Sequence, residues 1–176
     1  MLLSKRKVYK GNFVEDHSRK YTFRFGNKKI IFNKASFEPE IQVFSKALVY
    51  ALYHKKYRSI RVEAKVDERF SPDLSASGYD GTMLFWAECG NVSLAKVEKL
   101  FKKFRQAHFV FVKEKFEIPT FEKNLLRRVK DMRSLPLVDI VVYPEHFADW
   151  WVSEEGDVFI PPEEVEIIRW HDPENK

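Results

Sequence analysis

Apolar and polar positions fall into two rhythms along this chain. Tyr21, Phe23 and Phe25 share one side of a segment whose other side carries Thr22 and Arg24, the period of a half-buried strand. Gly26-Asn27-Lys28 supplies a turn, and Lys29 to Phe32 can return as the partner strand. Val8 to Val14 reads as a further strand, so the opening is an antiparallel sheet with strongly basic edges. From Ser36 the spacing lengthens. Ile41, Phe44, Leu48 and Leu52 recur at three- and four-residue steps and predict an amphipathic helix ending near Tyr57. Pro39 belongs in its first turn, where a missing N–H costs nothing. Ile60, Val62, Ala64 and Val66 then alternate like a strand.

Ser71-Pro72-Asp73 to Gly78-Tyr79-Asp80-Gly81 is rich in turn formers. Met83 to Ala87 follows as an unbroken apolar run, the composition of a strand covered on both faces. Ser93 is a good N-cap for a helix whose stripe is Leu94, Val97, Leu100, Phe101 and Phe104. Phe109 to Val112 and Leu137 to Val142 repeat the buried-strand composition, with a helix over residues 121 to 132 between them. Strand, helix, strand in that order favours parallel pairing. Trp150 to Val152, Val158 to Ile160 and Val165 to Trp170 read as small closing strands. The composite is α/β: a mixed central sheet flanked by helices, with antiparallel additions at both ends.

The 176 residues suit a single domain spanning 1–176 that can bury its own core. The longest strictly apolar run, Ala47 to Tyr53, is far short of the roughly 20 residues of a membrane span, so no membrane partner is expected. The start, MLLSKRKVYKG, lacks the apolar stretch of a secretory signal. A lone cysteine, Cys89, permits no internal disulfide, and a cytoplasmic location is the expectation. Charge is unevenly divided. Residues 144–176 hold ten acids and two bases, a net of −8, so against a total of +5 residues 1–143 carry +13. Lys96, Lys99, Lys102, Lys103 and Arg105 crowd the helix after Ser93. A polyanion such as nucleic acid is the partner this imbalance suits, and Lys99, Lys102, Lys103 and Arg105 are the candidate contacts.

Glu88 is the most informative residue. It closes the apolar run, where a carboxylate needs a partner to stay charged. The N–H groups of the helix after Ser93, a lysine on that helix, or a divalent cation shared with other carboxylates would each serve. Asp80, Asp73 and Glu38 are the further carboxylates that a splayed sheet would bring to it. Oxygen-only ligands of this kind select Mg²⁺ or Mn²⁺.

A helix with an early Glu, a Pro-Asp, an apolar strand closed by Glu and then a basic helix resembles the PD-(D/E)XK nuclease-like superfamily. More closely, the chain resembles the YaeQ family of bacterial proteins. The resemblance begins at Val8-Tyr9-Lys10 and includes Phe37-Glu38. It is sharpest at Leu84-Phe85-Trp86-Ala87-Glu88-Cys89-Gly90 and resumes at Gly156-Asp157-Val158-Phe159-Ile160. What it implies is a restriction-endonuclease-like core. In active superfamily members an Asp and a Glu hold Mg²⁺ and a Lys orients the attacking water. Carried over, Glu38 and Glu88 would be metal ligands. The Asp would be Asp80 or Asp73, with Asp80 preferred because it leads directly into the strand bearing Glu88.

One position departs from that pattern. The superfamily places Lys two residues after the Glu, and Gly90 stands there. Lys96, one turn into the next helix, is the candidate replacement. The displaced Lys favours a nucleic-acid- or protein-binding module on this fold, with a Mg²⁺-dependent phosphodiesterase as the alternative.

Overall fold

A computed structural model describes residues 19–66, 69–129, 134–144 and 146–174. The strand read over Val8 to Val14 lies outside them. β1 (Arg19–Phe25) and β2 (Lys28–Lys34) pair antiparallel as a separate two-stranded sheet, turning at Gly26 with φ +59°. The main sheet has six strands in the order β3 (Arg61–Val62), β4 (Leu74–Ser77), β5 (Met83–Glu88), β6 (His108–Lys113), β7 (Val138–Val142) and β8 (Glu166–His171). The central strands β5, β6 and β7 run parallel, and the outer ones are antiparallel to their neighbours. The three apolar runs are thus adjacent in one sheet, as their composition requires. Among the described residues four α-helices accompany them: α1 (Glu40–Tyr53), α2 (Leu94–Lys103), α3 (Ile118–Arg128) and α4 (Phe147–Trp151).

Strand alternation divides the core in two. Phe85, Ala87, Val110, Val112 and Val141 face α1 and the β1–β2 ribbon, packing with Leu48, Tyr53, Phe23 and Phe32. Trp86, Phe109, Phe111, Val138, Ile140 and Val142 face the other way, against Val97, Leu100 and Phe101 of α2 and Phe121 and Leu125 of α3. Apart from Leu84, exposed near the start of β5, both faces of β5–β7 are therefore dry, the environment parallel strands require. α2 starts as its sequence dictates, with the Ser93 hydroxyl accepting from Lys96 N–H at 3.2 Å.

Several local expectations are corrected. α1 begins at Glu40 rather than Ser36, because the extended backbone of Pro39 (ψ 144°) precedes it. Its buried side is broader than a stripe and takes in Ser45 and Lys46, while Ile41 is exposed. The turn-rich stretch contains strand β4, whose small residues Ser75, Ala76 and Ser77 carry no strand signature. The segment around Trp151 is the short helix α4, with Trp151 Nε1 donating to Glu164 at 3.0 Å. Gly156 shows why the closing hairpin needs glycine: its φ is +85°, and a Cβ would lie 2.2 Å from the Thr22 carbonyl oxygen. That contact lets Arg24 N–H reach Gly156 O (2.7 Å) and Val158 N–H reach Arg24 O (2.9 Å), seating the hairpin on β1.

At the amino ends of β6 and β7 a polar knot closes the core. Asp139 Oδ2 accepts from Tyr53 (3.1 Å) and lies 2.8 Å from His108 Nε2, Tyr57 Oη is 2.9 Å from His108 Nδ1, and Arg169 of β8 bonds Asp139 Oδ1. Burial alone would raise the Asp139 pKa, but the bonds from His108 and Arg169 outweigh it and leave it below the usual carboxylate value. A lowered folded pKa contributes stability that is full above the unfolded value of about 4 and drains as pH falls through the folded one. Asp139→Asn is expected to lose about 3–5 kcal/mol near neutral pH, by leaving His108 and Arg169 without their anion. That deficit should begin to shrink below about pH 4, where the unfolded parent takes up the proton, and vanish once the folded carboxyl does so at lower pH. Urea midpoints measured across that range for parent and variant check both statements.

Candidate functional site

The carboxyl end of β5 gathers four acids and two lysines. Glu38 sits in the turn before α1, where its Oε2 accepts from Ala35 N–H (3.1 Å) and its own N–H bonds back to Ala35 O (3.1 Å). Two turns along α1, Lys46 extends from a buried position and places Nζ 2.6 Å from Glu38 Oε1, 2.7 Å from Glu63 Oε1 and 3.7 Å from Asp73 Oδ1. The approach to Glu38 Oε1 is off-line for a hydrogen bond, and among the described residues that buried oxygen has no other partner. Asp73 precedes β4 and is held by Cys89 N–H, which donates to its Oδ2 at 2.6 Å. Glu63 adopts φ +52°, unusual without glycine, and its N–H bonds Asp73 O at 2.8 Å. A left-handed residue of this kind costs about 1–3 kcal/mol and persists where its surroundings over-determine it; here the ammonium of Lys46 and the Asp73 carbonyl do so.

Glu88 occupies the opposite side of the same strand end. It shares a face with Trp86, whose Nε1 donates to Glu88 Oε1 at 2.8 Å, and Lys96 Nζ stands 2.7 Å from the same oxygen. Asp73 links the two halves, since it feels Lys46 and Glu38 on one side and Lys96 on the other. Burial holds the Asp73 carboxyl above its ordinary value, against the pull of Cys89 N–H and Lys46. Glu88 is likewise raised by burial, opposed by Lys96 and Trp86. The Cys89 thiol is buried and pushed well up, which keeps it protonated and unreactive.

The structure thus brings Glu38, Glu88 and Lys96 to one strand end, together with Asp73. Asp80 is not among them. It lies in the exposed turn at the other end of the β4–β5 hairpin, about 20 Å away along a six-residue strand. There its carboxylate accepts from Thr82 N–H (2.9 Å) and Thr82 Oγ1 (2.7 Å), bonds that lower its pKa. Adjacency in sequence to β5 misleads here, because a hairpin sends its turn away from the strand's far end. Lys46 and Glu63 were not anticipated at all. The readable signal was a lysine inside the apolar stretch Val43 to Tyr53, since a buried ammonium demands anions.

Gly90 has its own reason. A Cβ there would meet the Gln42 amide at 2.7 Å, and Lys113, buried at the end of β6, donates to the Gly90 carbonyl at 3.3 Å. Position 90 therefore lies against the Gln42 side chain of α1, and the cations at this strand end come from α1, α2 and β6. Lys99, Lys102, Lys103 and Arg105 are all exposed on or just after α2.

Carboxylate oxygen is the donor type that Mg²⁺ and Mn²⁺ select. The side chains as they stand do not form such a shell. Among the described residues no three carboxylate, imidazole or thiol groups are placed to hold a metal ion, and the point that Glu38, Glu63 and Asp73 share is taken by the Lys46 ammonium. Lys46 and Lys96 stand against the carboxylates instead, on the two faces of the sheet.

Removing the Lys46 ammonium leaves Glu38, Glu63 and Asp73 facing one another unneutralised. Lys46→Met is expected to cost about 3–5 kcal/mol near neutral pH. Asp73, already raised by burial, loses the opposing pull of Lys46 and takes up a proton more readily, so the deficit should narrow as pH is lowered through the carboxylate range. Denaturant titrations of parent and variant over that range test the cluster's wiring.

No protein-family model matches the chain, and no curated protein matches it in sequence. Solved structures do. YaeQ protein from Xanthomonas axonopodis pv. citri aligns over 87% of this chain and 90% of its own, with TM-score 0.55 and 15% identity. YaeQ protein from Pseudomonas syringae aligns over 85% and 87%, with TM-score 0.57 and 16% identity. The mixed sheet, the flanking helices and the separate ribbon described above are the YaeQ fold.

Proposed function

We propose that this protein is a nucleic-acid-binding module on the YaeQ fold, with the outer face of α2 and α3 as its contact surface. One observation carries the reading. α2 and α3 pack side by side, and with Arg105 they expose Lys99, Lys102, Lys103, Arg105, Lys123, Arg127 and Arg128 against only two acids, Glu98 and Glu122. A surface with this excess attracts a polyanion and releases its counterions on contact. The carboxylate–lysine cluster at the end of β5 is then an ion-paired joint between α1, β4, β5 and α2. Its cations are engaged within the protein, which leaves the α2–α3 bases to meet the ligand.

Fluorescence polarisation against short labelled single- and double-stranded oligonucleotides tests this. Binding is expected at low salt, with log affinity falling linearly in log salt. The slope should flatten by about 1 for each contacting base changed to Gln. Folded protein that binds neither oligonucleotide at low salt would remove the proposal.

A second reading, a Mg²⁺-dependent phosphodiesterase of the PD-(D/E)XK type, has one observation in its favour. Asp73 and Glu88 are held side by side with raised pKa values, a pattern concentrated at functional sites. Thermal scans with and without Mn²⁺ separate the two. The module predicts no Mn²⁺ shift in the parent, and a Glu88→Gln variant destabilised by about 1–3 kcal/mol through a weakened charge-assisted bond to Lys96 and Trp86. A Mn²⁺-dependent rise in Tm that the variant loses would instead favour the phosphodiesterase, with Glu38, Asp73 and Glu88 as the ligands and Lys96 beside them.

A further inference from the structure

The basic face of α2 and α3 is not uniformly convex. Between the two helices it sinks into a cleft of about 270 Å³ whose exposed walls include Lys102, Arg105 and Arg128 and whose buried floor includes Phe101 and Leu135. Glu98 organises the walls. One of its oxygens lies 2.8 Å from Lys102 Nζ on its own helix, and the other lies 3.8 Å from Arg128 Nη1 on α3. A single carboxylate therefore turns cations from both helices toward the same space. Arg105 stands apart from this arrangement, and among the described residues it makes no hydrogen bond or ion pair. Among the described lining residues three cations and one anion leave an excess of +2, and the guanidinium of Arg105 makes no hydrogen bond to any of them.

Those features select a ligand chemistry. A guanidinium fork matches the paired oxygens of a phosphate, in a way a lysine point charge does not. An apolar floor lowers the local dielectric and strengthens the pairing relative to the open helix surface. The cleft is slightly below the roughly 300–1,000 Å³ of small-molecule pockets, so it admits a phosphate with its sugar edge rather than a large cofactor. We infer that the α2–α3 cleft anchors one phosphate of a bound nucleic-acid strand, through Arg105 and Arg128 with Lys102 alongside. This rests on the nucleic-acid reading and sharpens it, because the other bases of the face then contribute only diffuse attraction.

Two double variants of equal charge change separate the anchor from the face. Arg105→Gln with Arg128→Gln empties the cleft of its forks. Lys99→Gln with Lys123→Gln removes two open-face cations. Polarisation titrations at low salt should show the cleft variant losing about 30-fold or more in affinity, as expected for charge-assisted bonds, and the face variant only a few-fold. Arg105→Gln alone breaks no hydrogen bond or ion pair among the described residues and keeps the comparison open if the double variant melts early. Inorganic phosphate titrated into ¹⁵N-labelled parent should shift amides around Phe101 to Arg105 saturably, and should not do so in the cleft variant. Equal losses for the two double variants would overturn the anchor and leave the nucleic-acid reading standing. Saturable phosphate binding with no oligonucleotide binding would mark a free-phosphate site and overturn both, as would a parent that binds neither.

Discussion

The constraint on which the rest of this molecule depends is that β5, β6 and β7 are covered on both faces. A strand buried twice cannot carry charge along its length, so every ionisable group it owns is driven to an end. That is what is found. His108 and Asp139 sit at the amino ends of β6 and β7, and Glu88 and Lys113 sit at the carboxyl ends of β5 and β6. The two polar clusters are consequences of the dry middle between them. Each is completed by α1, which contributes Tyr53 near its end to one and Lys46 at mid-helix to the other.

The clusters are built on different electrostatic terms. At Asp139 the hydrogen bonds outweigh desolvation, and the carboxyl is held below its usual range. At Asp73 and Glu88 desolvation outweighs the bonds, although each has an ammonium nearby. The difference follows from partner number and direction. Asp139 takes bonds from His108, Tyr53 and Arg169 on both oxygens, whereas Lys96 and Trp86 both reach Glu88 through Oε1. A site with under-satisfied carboxylates is where a change of occupant or of protonation has the smallest barrier to overcome.

Much of this was legible in the chain. The doubly apolar runs gave β5, β6 and β7 and their adjacency, the three-four spacing gave α1 and α2, and Ser93 marked the start of α2. Glu88 was legible because a charge closing an apolar run has to be accounted for. What escaped reading was long-range or locally bland. β4 is built from Leu74, Ser75, Ala76 and Ser77, which become a strand only because β5 pairs with them. The choice between Asp73 and Asp80 turns on which end of a hairpin lies beside α1, and spacing does not reveal that. Glu63 reaches Lys46 through a left-handed backbone that no residue type announces.

The seat of Gly156 on β1 bears on how the chain reaches its native state. Among the described residues the ribbon β1–β2 has two strands, an assembly marginal in water by itself. Its backbone gains the Arg24 bonds to Gly156 and Val158 only after most of the chain exists. Loops that long close late, because their entropy must be spent before the contact is made. During synthesis the ribbon emerges well before that hairpin and waits. Until the far hairpin arrives, Arg24 keeps an open backbone edge, and the aromatic face of Tyr21, Phe23 and Phe25 depends on α1 for cover. A segment made well before its closing partner is therefore among the last to be locked, which makes the nascent chain, more than the finished fold, the state exposed to misassociation.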